Sequence, residues 1–553
     1  MTKKASLFFA LLLFVGAGVG HAQQAAIATA HPLATKAAAQ VLADGGNAFD
    51  AAVAASAALA VVEPASSGLG GGGFWLLHRA KDGLEIMVDG RETAPAEARH
   101  DMYLDEDGNV VPGLSVDGPL AAAIPGVPAA LAHLAGRYGE LPLAASLRPA
   151  IRYAREGFTV DSHMQGLLKF RRDALLASPA AAEVFLVKGE IPEVGHRIVQ
   201  GDLADTLQMI ADTEAKGFYQ GDFARRLVAG VRAAGGVWQL EDLANYRVIE
   251  RQPIRGRYHG LKITSAAPPS SGGIALVTML NILEGFELEQ AAPAQRKHLI
   301  IEAMRRAYRD RAQYLGDADF VDIPAHLTRK DYAAGLRAAI HPQKATPSDW
   351  LPTAVDNAGN GSDTTHFSIV DDEGNRVAAT LSINYPFGAA FMVPGSGVLL
   401  NDEMDDFSAK PWAPNVYGLV GAGANTIAPG KRPLSSMSPT FIEDDKHIVL
   451  LGTPGGSRII SMVLLGILEY AGGGDADAMV ALGRYHHQYL PDKVVAEPGA
   501  LSEQEIAALQ GAGHTVEARS RPYGNMQVVI VDKQTGKPSA ASDPRGLGEA
   551  LVR

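Results

Sequence analysis

A threonine at residue 364 stands where it could act as a nucleophile. Two runs rich in β-branched and apolar residues flank the turn 371–375, which is a hairpin pattern. If the hairpin is symmetric about Glu373, Thr364 lies opposite Ser382. The stretch 356–362 is polar, glycine-rich and aperiodic, which predicts a flexible loop. The sequence therefore predicts a threonine at the start of a strand, directly after a loop.

Cleavage of the bond between Asp363 and Thr364 would give Thr364 a free α-amine beside its own hydroxyl group. That amine can act as the base that activates the hydroxyl. An α-amine titrates near ~7.7–8.0 and a lysine amine near ~10.4, so the α-amine is the better base at neutral pH. Adjacent threonines are also ordinary strand residues, so the hairpin alone leaves the catalytic and the structural interpretation open.

Two carboxylates follow the hairpin, at Glu403 and Asp406. Residues three apart share one face of a helical turn, where two carboxylates can bind an ammonium group. Such a pair is more often exposed to solvent without a ligand. The spacing alone therefore does not decide between an ammonium-binding site and a solvated surface.

A second hairpin is predicted to bring together polar residues that are distant in sequence. Two apolar runs flank the turn 444–446. If this hairpin is symmetric about Asp445, Ser435 lies level with Gly455, and Ser436 lies level with Pro454.

Gly455 and Gly456 directly precede a helix predicted over 458–470, with Ser457 as a candidate N-cap. Backbone N–H groups at a helix start, unobstructed by side chains, can form an oxyanion hole. Two glycines before a helix more often form just a turn, so this pattern too needs support.

A third hairpin places an arginine near a run of glycines. Apolar runs flank a turn at 81–83, so Arg91 is expected at the same end as the glycine-rich run 68–73. The run formally contains G-x-G-x-x-G, but a dinucleotide site needs a strand before it and a helix after it, and here the order is reversed. An isolated arginine at a strand end is usually only solvated.

The composition indicates a globular chain with a large core and no thiol chemistry. Of 553 residues, 47% are hydrophobic and 20% are charged. The net charge of −12 and the lack of a basic run argue against nucleic-acid binding. The sequence has no cysteine, which excludes thiol catalysis, disulfides, zinc-thiolate sites and a lipoprotein anchor. The neighbours His486 and His487 do not share a helix or strand face, so we interpret them as structural and not as a metal-binding pair. We expect no metal and no cofactor.

Residues 1–22 predict a signal peptide. Lys3 and Lys4 precede the apolar run 7–15, and the Gly-His-Ala sequence before residue 23 predicts cleavage after Ala22. The apolar run is too short for a membrane anchor, which needs about 20 apolar residues. We therefore expect export to a periplasm or to the medium.

The remaining pattern predicts sheets covered by helices. Alanine-rich helices are predicted over 33–43 and 49–62, and the region from 125 to about 340 is mostly helical. That region includes helices over 147–156 and 298–315, the second with arginine-rich polar faces, and we expect it to act as scaffold. Candidate site residues lie repeatedly at hairpin ends, which indicates that sheet edges build the site.

Several motifs together resemble the γ-glutamyltransferases, also called glutathione hydrolases. The resemblance runs from about residue 28 to about residue 545 and rests on four motifs in the family's order: T-T-H-F-S from Thr364, N-D-E-M-D-D-F from Asn401, P-L-S-S-M-S-P-T from Pro433 and T-P-G-G-S-R from Thr453. It implies an α+β fold, the αββα sandwich of N-terminal nucleophile hydrolases. It also implies a precursor that cuts itself into a large subunit, 23–363, and a small subunit, 364–553, which intertwine as one domain.

The resemblance also implies a role for each candidate residue. Thr364 would be the nucleophile, and the Asp363–Thr364 bond would be the one that is cut. Ser382 stands where relatives usually have threonine; it keeps the hydroxyl but lacks the β-branch that fixes χ1, so a looser yet working contact is expected. Some relatives carry glutamine at Glu403. The other implied roles are an oxyanion hole at Gly455 and Gly456, α-carboxylate binding at Arg91, α-amino binding at Asn384, Glu403 and Asp406, further substrate contacts at Ser435 and Ser436, and a lid loop over 410–418 that carries Tyr417.

The implied activity is cleavage of γ-glutamyl amides such as glutathione through an ester on Thr364, with transfer to water, amino acids or peptides. A glutaryl- or cephalosporin-type acylase on the same scaffold is the alternative, but its acyl group has no ammonium for Glu403 and Asp406 to bind. An exported solute-binding protein would fit the signal peptide and the acidic charge, yet it gives no reason for the hairpin at Thr364. The expected partners are small molecules and the two subunits of one precursor, without nucleic acid or a stable membrane anchor.

Overall fold

The computed structural model describes residues 24–351 and 364–553. The predicted signal peptide, the predicted loop 356–362 and Asp363 lie outside the described residues. In chain order the strands are β1 (Ala26–Thr29), β2 (Gly72–Arg79), β3 (Leu84–Asp89), β4 (Phe158–Thr159), β5 (Arg197–Ile198), β6 (Ile249–Arg251), β7 (Ile254–Tyr258), β8 (Leu261–Ser265), β9 (Thr365–Val370), β10 (Arg376–Ser382), β11 (Thr440–Glu443), β12 (His447–Gly452), β13 (Tyr485–His486), β14 (Val494–Ala496), β15 (Val516–Ala518), β16 (Gln527–Asp532), β17 (Pro538–Ser542) and β18 (Glu549–Val552).

The helices come mainly from the first half of the chain. The α-helices are α1 (Pro32–Ala43), α2 (Ala48–Val62), α3 (Val127–Arg137), α4 (Leu143–Glu156), α5 (Ser162–Leu176), α6 (Pro179–Phe185), α7 (Gly201–Thr213), α8 (Lys216–Tyr219), α9 (Gly221–Ala233), α10 (Leu240–Asn245), α11 (Gly272–Leu283), α12 (Pro293–Tyr314), α13 (Lys330–Ala338), α14 (Ile459–Ala471), α15 (Ala476–Ala481) and α16 (Glu503–Gly511). Short 3-10 turns include Glu403–Asp406 and Gly456–Arg458.

Two antiparallel sheets form the centre of the molecule. The seven-stranded sheet has the order β18-β1-β9-β10-β2-β3-β6, and the six-stranded sheet has the order β17-β16-β12-β11-β8-β7. Each sheet combines strands from before residue 352 with strands from after residue 363. The two described segments therefore share both sheets and do not fold as separate units.

Alternate side chains of the seven-stranded sheet face two different cores. In β2, Trp75 and Leu77 pack with α1, α2 and other helices of the first half. Phe74 and Leu76 pack in the core that contains strands of the six-stranded sheet together with α11, α12 and α14. The period-2 alternation of a strand thus produces four layers, which is the αββα sandwich.

The predicted elements recur with shifted boundaries. The helices predicted over 147–156 and 298–315 start earlier, at Leu143 and Pro293. Arginines of α12 that the sequence placed on polar faces, Arg305, Arg306 and Arg311, are buried. In the part of the chain that the structure describes, none of the helices has the length and apolarity needed to span a membrane.

The two hairpins of the second half test the predicted registers. Thr365 pairs with Leu381 and Val370 with Arg376, so the hairpin is centred on Glu373 as predicted. In the other hairpin Thr440 pairs with Leu451, which centres it between Asp445 and Lys446. The predicted register about Asp445 is therefore wrong by one residue. The side chain of Asp444 accepts the N–H groups of Lys446 and His447, at 2.7 and 2.6 Å, and thereby closes a tighter turn.

Candidate active site

The hairpin of β9 and β10 places Thr364 beside Ser382. The ladder ends at the pair Thr365 and Leu381, so the next pair in the same register is Thr364 and Ser382. Thr364 is only 6% exposed, and β10 continues the sheet by pairing Ser382 with Gly72. The threonine therefore lies at a buried strand start at the edge of a cavity.

That cavity gathers residues from distant parts of the chain. Nine of the twelve positions that the sequence singled out line it: Arg91, Thr364, Ser382, Asn384, Asp406, Tyr417, Ser435, Ser436 and Gly456. Leu419, Met437 and Ile459 also line it, and sequence reasoning missed these three because apolar side chains carry no chemical signal. Glu403 and Gly455 stand next to lining residues, and Asp363 lies outside the described residues.

The glycine run allows close packing beside Ser382. A Cβ on Gly71 would lie 2.1 Å from the carbonyl oxygen of Ser382, and a Cβ on Gly70 would lie 1.9 Å from that of Leu399. A Cβ on Gly72 would lie 2.4 Å from a carboxylate oxygen of Glu92. The glycines thus allow backbones and one carboxylate to approach closely, and no helix follows them.

The hydroxyl of Ser382 is oriented by the backbone that follows it. Its Oγ accepts the N–H of Asn384 at 2.7 Å. Asn384 has a φ of 74°, a left-handed conformation that turns the chain sharply after β10. This hydrogen bond restricts the serine rotamer and compensates in part for the missing β-branch.

Removal of the Ser382 hydroxyl should slow the first chemical step. We expect Ser382→Ala to lower the acylation rate of the processed enzyme by at least several-fold, because the group level with Thr364 loses its polar atom. Ser382→Thr, which keeps the hydroxyl, is the control and should retain the rate. Single-turnover kinetics measure this step, and an unchanged rate in processed Ser382→Ala would contradict the assignment.

Arg91 is buried and surrounded by carboxylates. Its Nη1 is paired with Glu403 and lies 3.5 Å from Glu92, and its Nη2 lies 2.5 Å from Asp406 Oδ2. Its Nε donates to the Pro433 carbonyl at 3.1 Å. The 3-10 turn puts Glu403 and Asp406 on one face, as their spacing predicted, and both acids contact the arginine.

Burial governs the ionisation of this cluster. Burial lowers the pKa of Arg91, but the carboxylates of Glu403, Asp406 and Glu92 outweigh it and raise that pKa above its usual range. Burial raises the pKa of Glu92 to about 7 and that of Glu403 well above its usual range. Oε1 of Glu403 and Oε1 of Glu92 are buried without a hydrogen-bond partner among the described residues. The cluster therefore contains two buried acceptor atoms to which no described residue donates.

A second buried acid, Asp402, shapes the turn at Asn384. The Asn384 side chain donates to the Asp402 carbonyl at 3.0 Å, and Asp402 Oδ1 accepts the N–H of Tyr385 at 2.9 Å. Burial raises the pKa of Asp402 well above its usual range. Sequence reasoning missed Asp402, although it belongs to the same acidic motif as Glu403.

Ser435 is held by the loop before α11, which lies in the region that the sequence predicts to be scaffold. The N–H and the hydroxyl of Ser271 both donate to the Ser435 carbonyl, at 2.8 and 2.7 Å. The Ser435 hydroxyl oxygen accepts the N–H of Met437 at 3.1 Å. The loop before α11 thus fixes Ser435, a contact that no local sequence signal indicates.

Gly455 and Gly456 adopt conformations that other residues avoid. Their φ angles are 146° and 55°, and Gly456 begins the 3-10 turn that leads into α14. The first N–H groups of a helix have no intrahelical acceptor, so they can bind a developing negative charge. The predicted N-cap at Ser457 is wrong: Ser457 lies within the 3-10 turn, and its carbonyl accepts the Tyr308 hydroxyl at 2.5 Å.

Tyr417 lines the cavity and belongs to the loop 410–418, which the sequence predicts to be a lid. Its hydroxyl donates to the Asn384 carbonyl at 2.5 Å, and the residue is 5% exposed. The lid is tied to the acidic motif, because the Asn415 side chain donates to Asp406 at 3.1 Å and the Val416 N–H donates to Asp405 at 2.8 Å. The acids at 405 and 406 therefore connect the lid to the cluster around Arg91.

Asp405 should make stability depend on pH. Burial raises its pKa from 3.8 to about 7, so the folded state holds a proton that the unfolded state releases. Its contribution to stability is present below about pH 4, is lost as pH rises toward 7, and is constant above that. We expect the Tm difference between Asp405→Asn and wild type to rise from pH 4 to pH 7 and then to level off. A difference independent of pH, measured by calorimetry, would contradict this; contributions from other groups cancel between the two proteins.

His486 and His487 are both buried and hydrogen-bonded. His486 contacts the Ser461 hydroxyl at 2.7 Å and Gln488 at 2.8 Å, and His487 lies 3.1 Å from Asp492. Burial lowers their pKa values to about 3 and about 4, so both are neutral at physiological pH. These contacts agree with a structural role for the pair.

Comparison with known proteins relates most of the chain to one family. The family model described as gamma-glutamyltranspeptidase matches residues 34–552. The glutathione hydrolase proenzyme of Pseudomonas sp. (strain A14) is 43% identical over 531 residues, which cover 95% of this chain and 91% of the relative. The glutathione hydrolase proenzyme of Escherichia coli (strain K12) is 41% identical over 536 residues, with coverage of 96% and 91%.

A solved structure extends the similarity to the fold. The cephalosporin acylase from Bacillus halodurans superposes with a TM-score of 0.85 at 28% identity, covering 100% of this chain and 99% of that one. The four-layer arrangement found here is thus shared with that acylase.

Proposed function

This chain belongs to the gamma-glutamyltranspeptidase family, and we propose that it matures by self-cleavage before Thr364 and then cleaves γ-glutamyl amides, glutathione among them. The observation that carries the proposal is one cavity that combines Thr364 with a cluster of acids and an arginine. The relatives named glutathione hydrolase proenzymes, 41% and 43% identical to this chain, support both the activity and the precursor.

Maturation would use the Thr364 hydroxyl before its amine exists. Oγ attacks the Asp363 carbonyl carbon, the C–N bond to Thr364 breaks, the hydroxyl proton passes to the released nitrogen, and the acyl group remains on Oγ as an ester. Water then hydrolyses the ester, which leaves a carboxylate on Asp363 and a free α-amine on Thr364. The burial of Thr364 directly before β9 supports this step, because a buried side chain samples fewer positions.

The mature enzyme would use the same hydroxyl on its substrate. The α-amine takes the proton of Oγ while Oγ attacks the γ-glutamyl carbonyl, and the N–H groups of Gly455 and Gly456 stabilise the oxyanion. The proton passes to the leaving amine, which departs. Water or the amine of an amino acid or peptide then attacks the ester and regenerates Thr364.

Recognition of the γ-glutamyl group would follow the charges of the cavity. Its ammonium suits Asn384, Asp406 and Glu403, whose Oε1 has no partner among the described residues. Its α-carboxylate suits the hydroxyl groups of Ser435 and Ser436, because Arg91 is already paired with carboxylates of the protein itself. The arrangement binds a zwitterion better than a simple acid.

An acylase specific for glutaryl groups is the second candidate, because the structural relative from Bacillus halodurans is a cephalosporin acylase. A glutaryl group keeps the carboxylate but has no ammonium, so it offers no donor to Glu403 Oε1, which has no hydrogen-bond partner among the described residues. The acids around Arg91 therefore favour a γ-glutamyl donor over a glutaryl donor.

A comparison of γ-glutamyl and glutaryl p-nitroanilides tests this choice. We expect wild type to prefer the γ-glutamyl donor, and Asp406→Asn to reduce that preference by about ten- to a hundred-fold, as loss of a charged hydrogen bond does. The glutaryl donor is the internal control, since it has no group for Asp406 to bind. A wild-type enzyme that prefers the glutaryl donor would overturn the proposed function.

We also propose that the enzyme works after export. The charged and apolar pattern of residues 1–22 supports a signal peptide with cleavage after Ala22. N-terminal sequencing of the large subunit from a native host tests this, with residue 23 expected first. The proposed partners are γ-glutamyl donors, amino-acid or peptide acceptors, and the two subunits for each other.

A further inference from the structure

A buried arginine outside the predicted site lies behind the two cavity serines. Arg311, on α12, is 3% exposed. Its Nε donates to the Ser271 hydroxyl oxygen at 3.1 Å, and its Nη2 donates to the Ser436 hydroxyl oxygen at 3.4 Å. Because Ser436 lines the cavity and Arg311 does not, the arginine can act on a ligand only through its neighbours and through its charge.

The charge of Arg311 is less compensated than that of Arg91. Arg91 is in contact with three acidic side chains, so the positive charge that the sequence assigned to the substrate carboxylate is already compensated within the protein. Arg311 has no carboxylate within 4.0 Å in residues 24–351 and 364–553; Asp406 is the acid whose charge affects it from farther away. Arg311 therefore contributes more positive electrostatic potential at Ser435 and Ser436 than Arg91 does.

Hydrogen-bond chemistry fixes what Ser436 can offer. A guanidinium group only donates, so Ser436 Oγ is the acceptor of this bond and its own hydrogen points elsewhere. Ser271 accepts from Arg311 in the same way and donates to the Ser435 carbonyl at 2.7 Å. Arg311 thus holds both the direction of the Ser436 hydroxyl and the position of the loop that carries Ser435.

We propose that Arg311 is the positioning residue for the α-carboxylate of the γ-glutamyl donor: it orients the Ser436 hydroxyl as a donor and supplies the positive charge behind it. The proposal rests on the proposed function and names a residue that determines its specificity. Burial lowers the pKa of Arg311, yet an arginine stays protonated at neutral pH. A buried cation without a paired anion is costly, and a bound carboxylate in the cavity reduces that cost.

The test compares two donors that differ only in the α-carboxylate: γ-glutamyl p-nitroanilide and 4-aminobutanoyl p-nitroanilide. The variants are Arg311→Met, which removes charge and hydrogen bonds, and Arg311→Lys, which keeps the charge. Arg306→Met is the matched control, because Arg306 is a buried arginine of the same helix that binds Glu302 and the carbonyls of Leu336 and Ala339. The preference, defined as the ratio of the two kcat/KM values, does not depend on the fraction of folded or processed enzyme.

We expect Arg311→Met to reduce the preference by about ten- to a hundred-fold, mainly through a higher KM for the γ-glutamyl donor. Arg311→Lys should give an intermediate preference, and Arg306→Met should keep the wild-type value even if less enzyme is recovered. If Arg311→Met lowers kcat/KM equally for both donors, Arg311 has only a structural role and the proposal is overturned. If Arg311→Met yields no processed enzyme, Arg311→Lys decides, and an unchanged preference in it overturns the proposal as well.

The same data separate this inference from the proposed function. A wild-type enzyme that cleaves neither donor contradicts the proposed function itself. A wild-type enzyme that prefers the γ-glutamyl donor, together with an Arg311→Met variant of equal preference, contradicts only the role of Arg311.

Discussion

Replacing Thr364 by alanine should leave the protein as a single polypeptide that does not cleave γ-glutamyl amides. The hydroxyl is both the group that attacks the Asp363 carbonyl and the nucleophile of the mature enzyme, so its removal stops maturation before catalysis can begin. Loss of a nucleophile lowers kcat by at least about 10⁴-fold in comparable hydrolases. Intact mass and N-terminal sequencing after incubation, together with a γ-glutamyl p-nitroanilide assay, measure both consequences.

Two neighbouring changes serve as controls. Thr364→Ser keeps the hydroxyl and should still be processed, though more slowly because the β-branch is lost. Thr365→Ser keeps the hydroxyl that donates to Glu63 at 2.7 Å and should mature normally. Two fragments from Thr364→Ala, whatever their activity, would remove Thr364 from the mechanism. A stable single chain from wild type would instead point to a member of the family that does not mature under the conditions used.

One physical cause explains why the predicted register of the first hairpin is right and that of the second is wrong. The turn 371–375 is closed by the Asp371 N–H and the Asn375 carbonyl at 3.1 Å, so its centre of symmetry is a residue, as the sequence pattern indicated. The turn after Glu443 is closed one residue tighter by the side chain of Asp444. Both patterns fit a turn of either length, and only side-chain hydrogen bonds within the turn decide the register.

Residues with nucleophilic or charged side chains can be predicted from the sequence, whereas the residues that position them cannot. Thr364, Arg91 and the acids stand in motifs, and nine of the twelve singled-out positions line one cavity. Arg311 acts on Ser436 from 125 positions away in the chain, across a contact between α12 and a loop. The arginines of α12 follow a pattern that predicts a solvated face, and only the packing of the second core buries them. Long-range packing of this kind leaves no local signal.

Replacement of Gly456 is the second change with a large expected effect. It tests whether the N–H group of Gly456 stabilises the oxyanion. Its φ of 55° is unfavourable for residues with a Cβ, and a Cβ there would lie 2.7 Å from Cδ1 of Tyr417. We therefore expect Gly456→Ala to shift the backbone N–H and the lid ring together, and to lower kcat by about 10²- to 10³-fold, as loss of one oxyanion-hole donor does. Gly473→Ala is the matched control, because Gly473 follows the other end of α14 with a φ of 93° and open space around its Cβ position. It should lower Tm but not kcat.

The double variant Gly456→Ala, Tyr417→Ala separates the two causes of that loss. If the alanine acts only by pushing the ring of Tyr417, removal of the ring restores kcat to the value of Tyr417→Ala alone. If the N–H of Gly456 stabilises the oxyanion, its strained backbone position remains wrong after the ring is gone, and kcat stays low. We expect the second outcome, because φ at residue 456 is set by the turn into α14 and not by the lid. Full restoration would place the stabilising N–H groups elsewhere and leave Gly456 as a residue that makes room for Tyr417.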